Sequence, residues 1–142
     1  MREQEKRPAI GGYFELELAP PNPHPFLWPY EPYLYQSARA ALCALLEILA
    51  PERVWIPDYN CPVIEQPLEI LGIDFIKYTV SPDLSISQEL SLGKGELLLF
   101  INYFGLSRSR VLEVLRTFDP SRVILDYSQA YFDPPEMDCA GT

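Results

Sequence analysis

Asp126 is the residue in this sequence best placed to do chemistry. It follows Val123-Ile124-Leu125, so a carboxylate stands where an apolar run opens into Asp126-Tyr127-Ser128-Gln129. In open parallel sheets, ligands bind outside the carboxyl ends of the strands. An acid there suits a metal, a ribose hydroxyl or a protonated ring nitrogen; the plainer role is to cap the turn that follows. Three other apolar runs end in polar residues: Pro57-Asp58-Tyr59-Asn60-Cys61, Ser81-Pro82-Asp83 and Asn102-Tyr103-Phe104-Gly105. Ser37-Ala38-Arg39 opens a helical pattern, whose free amides can cradle a phosphate or simply face water. Cys61 stands near a predicted helix start, which lowers a thiol pKa. It has no basic partner, because the single histidine, His24, falls in a proline-rich stretch. Lys94 lies between Gly93 and Gly95, but GxxxxGK[ST] is absent, so a solvated loop lysine is the reading.

Positioning these residues requires regular elements, and the pattern supplies them from Ser37 onward. Ser37 predicts an N-cap, with Ala38, Ala41, Leu42, Leu45, Leu46 and Leu49 at helical spacing and Pro51 closing the helix. Val54-Trp55-Ile56 predicts a buried strand stopped by Pro57. Asn60 is expected to cap a second helix that has Pro62 in its first turn, kinks or restarts at Pro67 and ends at Gly72. Strands are expected over 75–80, 97–103 and 122–125, with a polar loop over 81–95. Ser107 or Ser109 is expected to cap a third helix burying Val111, Val114, Leu115 and Phe118. Apolar strands alternating with helices predict an α/β fold: a mostly parallel sheet with helices on both faces.

Residues 1–36 read differently. Gly11-Gly12 is a turn signal and residues 13–18 alternate like a short strand. Six of the chain's fifteen prolines (Pro20, Pro21, Pro23, Pro25, Pro29 and Pro32) then crowd together among Phe26, Trp28, Tyr30, Tyr33 and Tyr35. Such a stretch is neither helix nor central strand. It is expected to pack over its own domain or a partner subunit. The division is therefore an arm, 1–36, and an α/β domain, 37–142.

Composition narrows the function classes. A chain of 142 residues is about one domain, and 48% apolar with 22% charged residues is a globular balance. Eleven basic against twenty acidic residues give a net charge of −9, which disfavours nucleic acid and anionic membrane surfaces. No apolar run approaches the roughly 18 residues of a membrane span. Cys43, Cys61 and Cys139 form no CxxC pair, so no metal site is expected. The charged start MREQEKRPAI lacks an apolar leader core, and a reducing, cytoplasmic setting is the expectation.

Five segments in order carry a family resemblance: Gly-Gly-Tyr-Phe-Glu-Leu-Glu (11–17), Ser-Ala-Arg-Ala-Ala-Leu (37–42), Pro-Asp-Tyr-Asn-Cys-Pro (57–62), Asn-Tyr-Phe-Gly (102–105) and Asp-Tyr-Ser-Gln-Ala (126–130). Together they resemble the DegT/StrS-type sugar aminotransferases, which depend on pyridoxal phosphate (PLP) and have the aspartate-aminotransferase fold (fold type I). The resemblance implies that Asp126 pairs with the pyridinium nitrogen and that Gln129 sits near the ring. It implies that Ser37 and Ala38 hold the cofactor phosphate, where the family usually has Gly followed by Ser or Thr. Cys61 falls where many members stack an aromatic on the ring. The family's Schiff-base lysine lies a few tens of residues beyond the Asp-x-x-Gln motif, whereas Lys6, Lys77 and Lys94 all precede it. No catalytic residue of that kind is therefore expected within 1–142. The expectation is the N-terminal portion of such an enzyme, as a fragment, a truncated frame or a natural short protein, inactive alone. The complete enzyme would transfer an amino group to a keto-sugar or similar carbonyl substrate, as a homodimer. A non-catalytic α/β scaffold and an unrelated phosphate-binding α/β domain are the alternatives.

Overall fold

A computed structural model describes residues 32–130, 133–136 and 139–141 of the chain. The chain divides into units 1–31 and 32–142. The turn, strand and aromatic positions expected within 1–31 lie outside the described residues.

The first regular element among the described residues is helix α1, Ala38–Leu49. Strand β1 (Arg53–Pro57), helix α2 (Glu65–Leu71), strand β2 (Asp74–Tyr78) and strand β3 (Glu96–Ile101) follow. Helix α3 (Arg108–Thr117) and strand β4 (Val123–Asp126) complete it. The strands form one four-stranded sheet in the order β2-β1-β3-β4, and every pairing is parallel. From β1 the chain steps outward one way to β2; from β3 it steps the other way to β4. Right-handed crossovers then put the intervening helices on opposite faces.

Packing follows the two-residue period of the strands. On β3, Leu97, Leu99 and Ile101 face one side, with Leu46 of α1 and Leu68 of α2. Leu98 and Phe100 face the other side, with Val111 and Val114 of α3. Burying one such side chain contributes roughly 1.5–3 kcal/mol, which is why a run of apolar residues without alternation specifies a strand covered twice. Leu115 and Phe118 are only half-buried but pack on the same cluster as Val111.

Local signals succeed and fail for identifiable reasons. Ser37 caps α1, its Oγ accepting from the Ala40 amide at 3.2 Å. Gly72 ends α2 in the left-handed region at φ +67°, where a side chain would be strained. Asn60 does not cap a helix: its side-chain amide donates back to the Pro57 carbonyl. A 3-10 turn, Pro62–Ile64, comes first, and α2 restarts at Glu65, so Pro67 falls in the first turn, where its missing N–H costs nothing. Ser107 precedes α3 but its hydroxyl makes no capping bond. Among the described residues no helix is long and apolar enough to cross a membrane.

Candidate functional site

The chain order β2-β1-β3-β4 reverses direction between β1 and β3, so the carboxyl ends of those two strands flank the point where open sheets bind ligands. Two tyrosines occupy it. Tyr103, 1% exposed, donates its hydroxyl to the Tyr59 carbonyl at 2.6 Å. The two rings stack at 5.5 Å between centroids, and Tyr59 is 58% exposed. Burial pushes the Tyr103 hydroxyl well above the usual tyrosine range, helped by the nearby charge of Asp58 and by Tyr59 and Asp126. It therefore remains a donor. Phe104 follows with φ +56°, a left-handed backbone that an L-residue adopts only with strain. That conformation turns its ring outward, 58% exposed, while its neighbour points into the core.

Asp126 is the last residue of β4, half-buried at the same carboxyl edge. Its Oδ1 accepts from the Ser128 amide at 2.7 Å, which is the turn-capping role. Oδ2 has no partner among the described residues. Gln129 is exposed two residues beyond that turn's Tyr127. On the far side of the switch point, α1 runs back along β1, so its first turn reaches this edge too. Ser37 and Ala38 are exposed there, and Arg39 Nη1 donates to Gln66 Oε1 of α2 at 2.7 Å. Cys61 is an exposed free thiol immediately before the 3-10 turn.

All five sequence-derived site residues thus lie on one edge, in two groups. Ser37, Ala38 and Cys61 lie at the end of β1; Asp126 ends β4 and Gln129 follows it, two strands away, about 10 Å at the usual strand spacing. No described lysine joins them. Lys77 lies on β2, three strands from Asp126, and its Nζ pairs with Glu65 at 2.8 Å. Lys94 sits in the turn before β3, at the opposite edge of the sheet. No group of three or more metal-ligating side chains occurs among the described residues.

The residues fit PLP in part. The unpartnered Oδ2 of Asp126 suits a protonated ring nitrogen, and the first amides of α1 beside Ser37 suit a phosphate. The exposed Cys61 offers no flat ring, which leaves Tyr59 as the exposed aromatic of that loop.

Sequence reasoning missed a polar cluster beside the site. Asn102 is fully buried; its Oδ1 accepts from the Ser107 amide at 3.1 Å and its Nδ2 donates to Asp133 Oδ2 at 2.7 Å. Arg108 donates to Asp133 Oδ1 at 3.1 Å, to the Pro134 carbonyl at 3.0 Å and to Glu136 Oε1 at 2.7 Å. The hydrogen bond that Arg108 donates to Asp133, with the Glu136 charge, raises the Arg108 pKa further, so the guanidinium stays charged. The available signal was Asn102 itself, a polar amide at the end of an apolar strand that must find partners if buried.

No protein-family model and no curated protein matches the chain. Two solved structures share part of its fold. One is BPSL1724 from Burkholderia pseudomallei K96243, assigned as an aminotransferase: TM-score 0.46, 10% identity, 61% of this chain and 28% of that one. The other is the sugar aminotransferase CalS13 from Micromonospora echinospora: TM-score 0.48, 18% identity, 66% of this chain and 30% of that one. The chain spans less than a third of either protein.

Proposed function

We propose that this chain is the N-terminal, PLP-binding part of a DegT/StrS-like aminotransferase of fold type I, without catalytic activity of its own. The observation that carries this is Asp126, a carboxylate at the carboxyl end of a buried parallel strand whose Oδ2 has no partner among the described residues. When bound, PLP supplies an electron sink for amino transfer to a keto-sugar or similar carbonyl substrate. The residues of this chain would bind and orient it. Asp126 Oδ2 accepts from the ring nitrogen and holds its proton there. The α1 amides and the Ser37 hydroxyl take the phosphate, and Gln129 lies on the loop beside Asp126. No described lysine reaches this group, in keeping with a chain that by itself turns over no amino donor. The working enzyme is a homodimer in the cytoplasm.

Absorbance titration with PLP tests the assignment. Asp126→Asn keeps the shape of the side chain and removes its charge. A hydrogen bond to a charged group contributes roughly 1.5–3 kcal/mol, so affinity should fall about 10- to 100-fold. The Ser128 bond to Oδ1 favours a second reading, in which Asp126 only caps its turn on a non-catalytic α/β scaffold. Equal affinity of the two proteins would establish that second reading.

A further inference from the structure

The segment after β4 makes a series of tight turns along the carboxyl edge. Ser128 N donates to Asp126 Oδ1 at 2.7 Å, Ala130 N to the Tyr127 carbonyl at 2.8 Å, and Asp133 N to the Ala130 carbonyl at 2.9 Å. The turn that carries Asp126 and Gln129 is therefore joined to Asp133 by the backbone bond at Ala130. That aspartate is itself held on both oxygens, by Asn102 at 2.7 Å and by Arg108 at 3.1 Å. One carboxylate thus ties the end of β3 and the first residue of α3 to the loop leaving β4. The two loops also touch directly. Gly105 has φ +70°, and a Cβ there would lie 3.6 Å from the Ala130 Cα.

We propose that Asp133 is a positioning residue for Asp126, working as a latch with Asn102 and Arg108; its ligand readout rests on the PLP reading above. The direction of Asp126 Oδ2 depends on the Ser128 turn staying closed. The Asp126 carbonyl also accepts from the Asn102 amide at 2.9 Å, but among the described residues of 127–133 the side-chain bonds of Asp133 to Asn102 and Arg108 are the charge-assisted ones to a neighbouring element, about twice as strong as neutral bonds. Asp133→Asn keeps the volume but turns one oxygen into a donor. That donor must face either the Asn102 amide or the Arg108 guanidinium, both donors themselves. The latch opens, and Asp126 loses its fixed direction.

The test compares wild type, Asp133→Asn, Asp126→Asn and the double variant by PLP absorbance titration. Arg110→Gln serves as control, because among the described residues Arg110 pairs with Asp83 and Glu113, away from this loop. Asp133→Asn should weaken PLP binding about tenfold, Arg110→Gln less than twofold. In the Asp126→Asn background the Asp133 change should have less than a twofold effect, since contacting residues are not additive when one acts through the other. Tenfold weakening that persists in that background would show a general structural role and overturn the proposal, as would equal binding by wild type and Asp133→Asn. If wild type binds no PLP, the function reading fails on its own, and hydrogen exchange of the Ser128 amide decides the latch. Faster exchange in Asp133→Asn than in Arg110→Gln supports it; equal exchange sinks it.

Discussion

Glu96→Gln should cost the domain about 2 kcal/mol at neutral pH. Glu96 is the first residue of β3, and its side chain is only 13% exposed. Oε1 accepts from Arg53 Nη1 at 3.1 Å; Oε2 accepts from Trp55 Nε1 at 2.9 Å and from the Gly93 amide at 2.8 Å. The carboxylate thus joins β1, β3 and the preceding turn. The Trp55 bond, the Gly93 amide and Arg53 together hold its pKa below the usual range. Glutamine keeps the size, loses the charge and points one donor at other donors. Bonds to a charged group contribute roughly 1.5–3 kcal/mol and neutral ones roughly 0.5–1.5, a difference of about 1 kcal/mol per bond. The Arg53 side chain is 41% exposed, so its share is screened and small. Two bonds remain, hence the figure of about 2 kcal/mol. In a domain of this size it corresponds to a melting shift of about 6–8 °C. Trp55 fluorescence reads the melt. A depressed carboxylate pKa gives stability above the unfolded value, near 4.3, and loses it as pH falls through the folded value. The gap between the two proteins should therefore narrow as pH falls below about 4.3 and vanish only below the lowered folded value. Identical melting at pH 7, or a gap that survives acid, would refute this account.

Tyr103→Phe removes the hydroxyl that holds the Tyr59 carbonyl and should cost about 1 kcal/mol in a denaturant titration. Burial raises the Tyr103 and Tyr78 hydroxyls, so their contribution is complete below the ordinary tyrosine value of about 10 and is lost as pH rises beyond it; alkaline unfolding should set in there. Phe104→Gly relieves the left-handed backbone at φ +56° and should raise stability by about 1 kcal/mol in the same titration; a lower midpoint would mean the exposed ring contributes more than its strain costs. Sedimentation at micromolar concentration should give a dimer or larger species, in keeping with Tyr33 and Leu34 at 91% and 88% exposed; a clean 16.3 kDa monomer would contradict it.

The parallel sheet was legible because Leu97 to Ile101 and Val123 to Leu125 are apolar without alternation, which only a strand covered on both faces tolerates. The place of Asp126 followed from the same signal, since a carboxylate can end such a strand but not lie within it. Helix starts were less legible. Asn60 and Ser107 carry capping side chains, yet Asn60 bonds back to Pro57, and the Ser107 amide is taken by Asn102. Local propensity cannot anticipate a competing partner supplied by another loop. The latch was invisible for the same reason: Asp133 meets Asn102 and Arg108 only after β3 and β4 have paired.

The strand order also bears on how the chain assembles. Arg53 lies opposite both Asp74 and Glu96, so β1 can zip to β2 as soon as α2 has formed but must wait about twice the chain length for β3. Each doubling of the closed loop costs only about 0.6 kcal/mol in entropy. The order of events is nonetheless fixed when the chain emerges from a ribosome N-terminus first, at about 5–20 residues per second. For about one to several seconds at that pace, β1 is paired along one side only, and its other edge presents unpaired backbone N–H and C=O groups that β3 later takes up. That half-built β1–α2–β2 unit is the species most exposed to wrong pairing, and slower translation through 79–95 would lengthen its life.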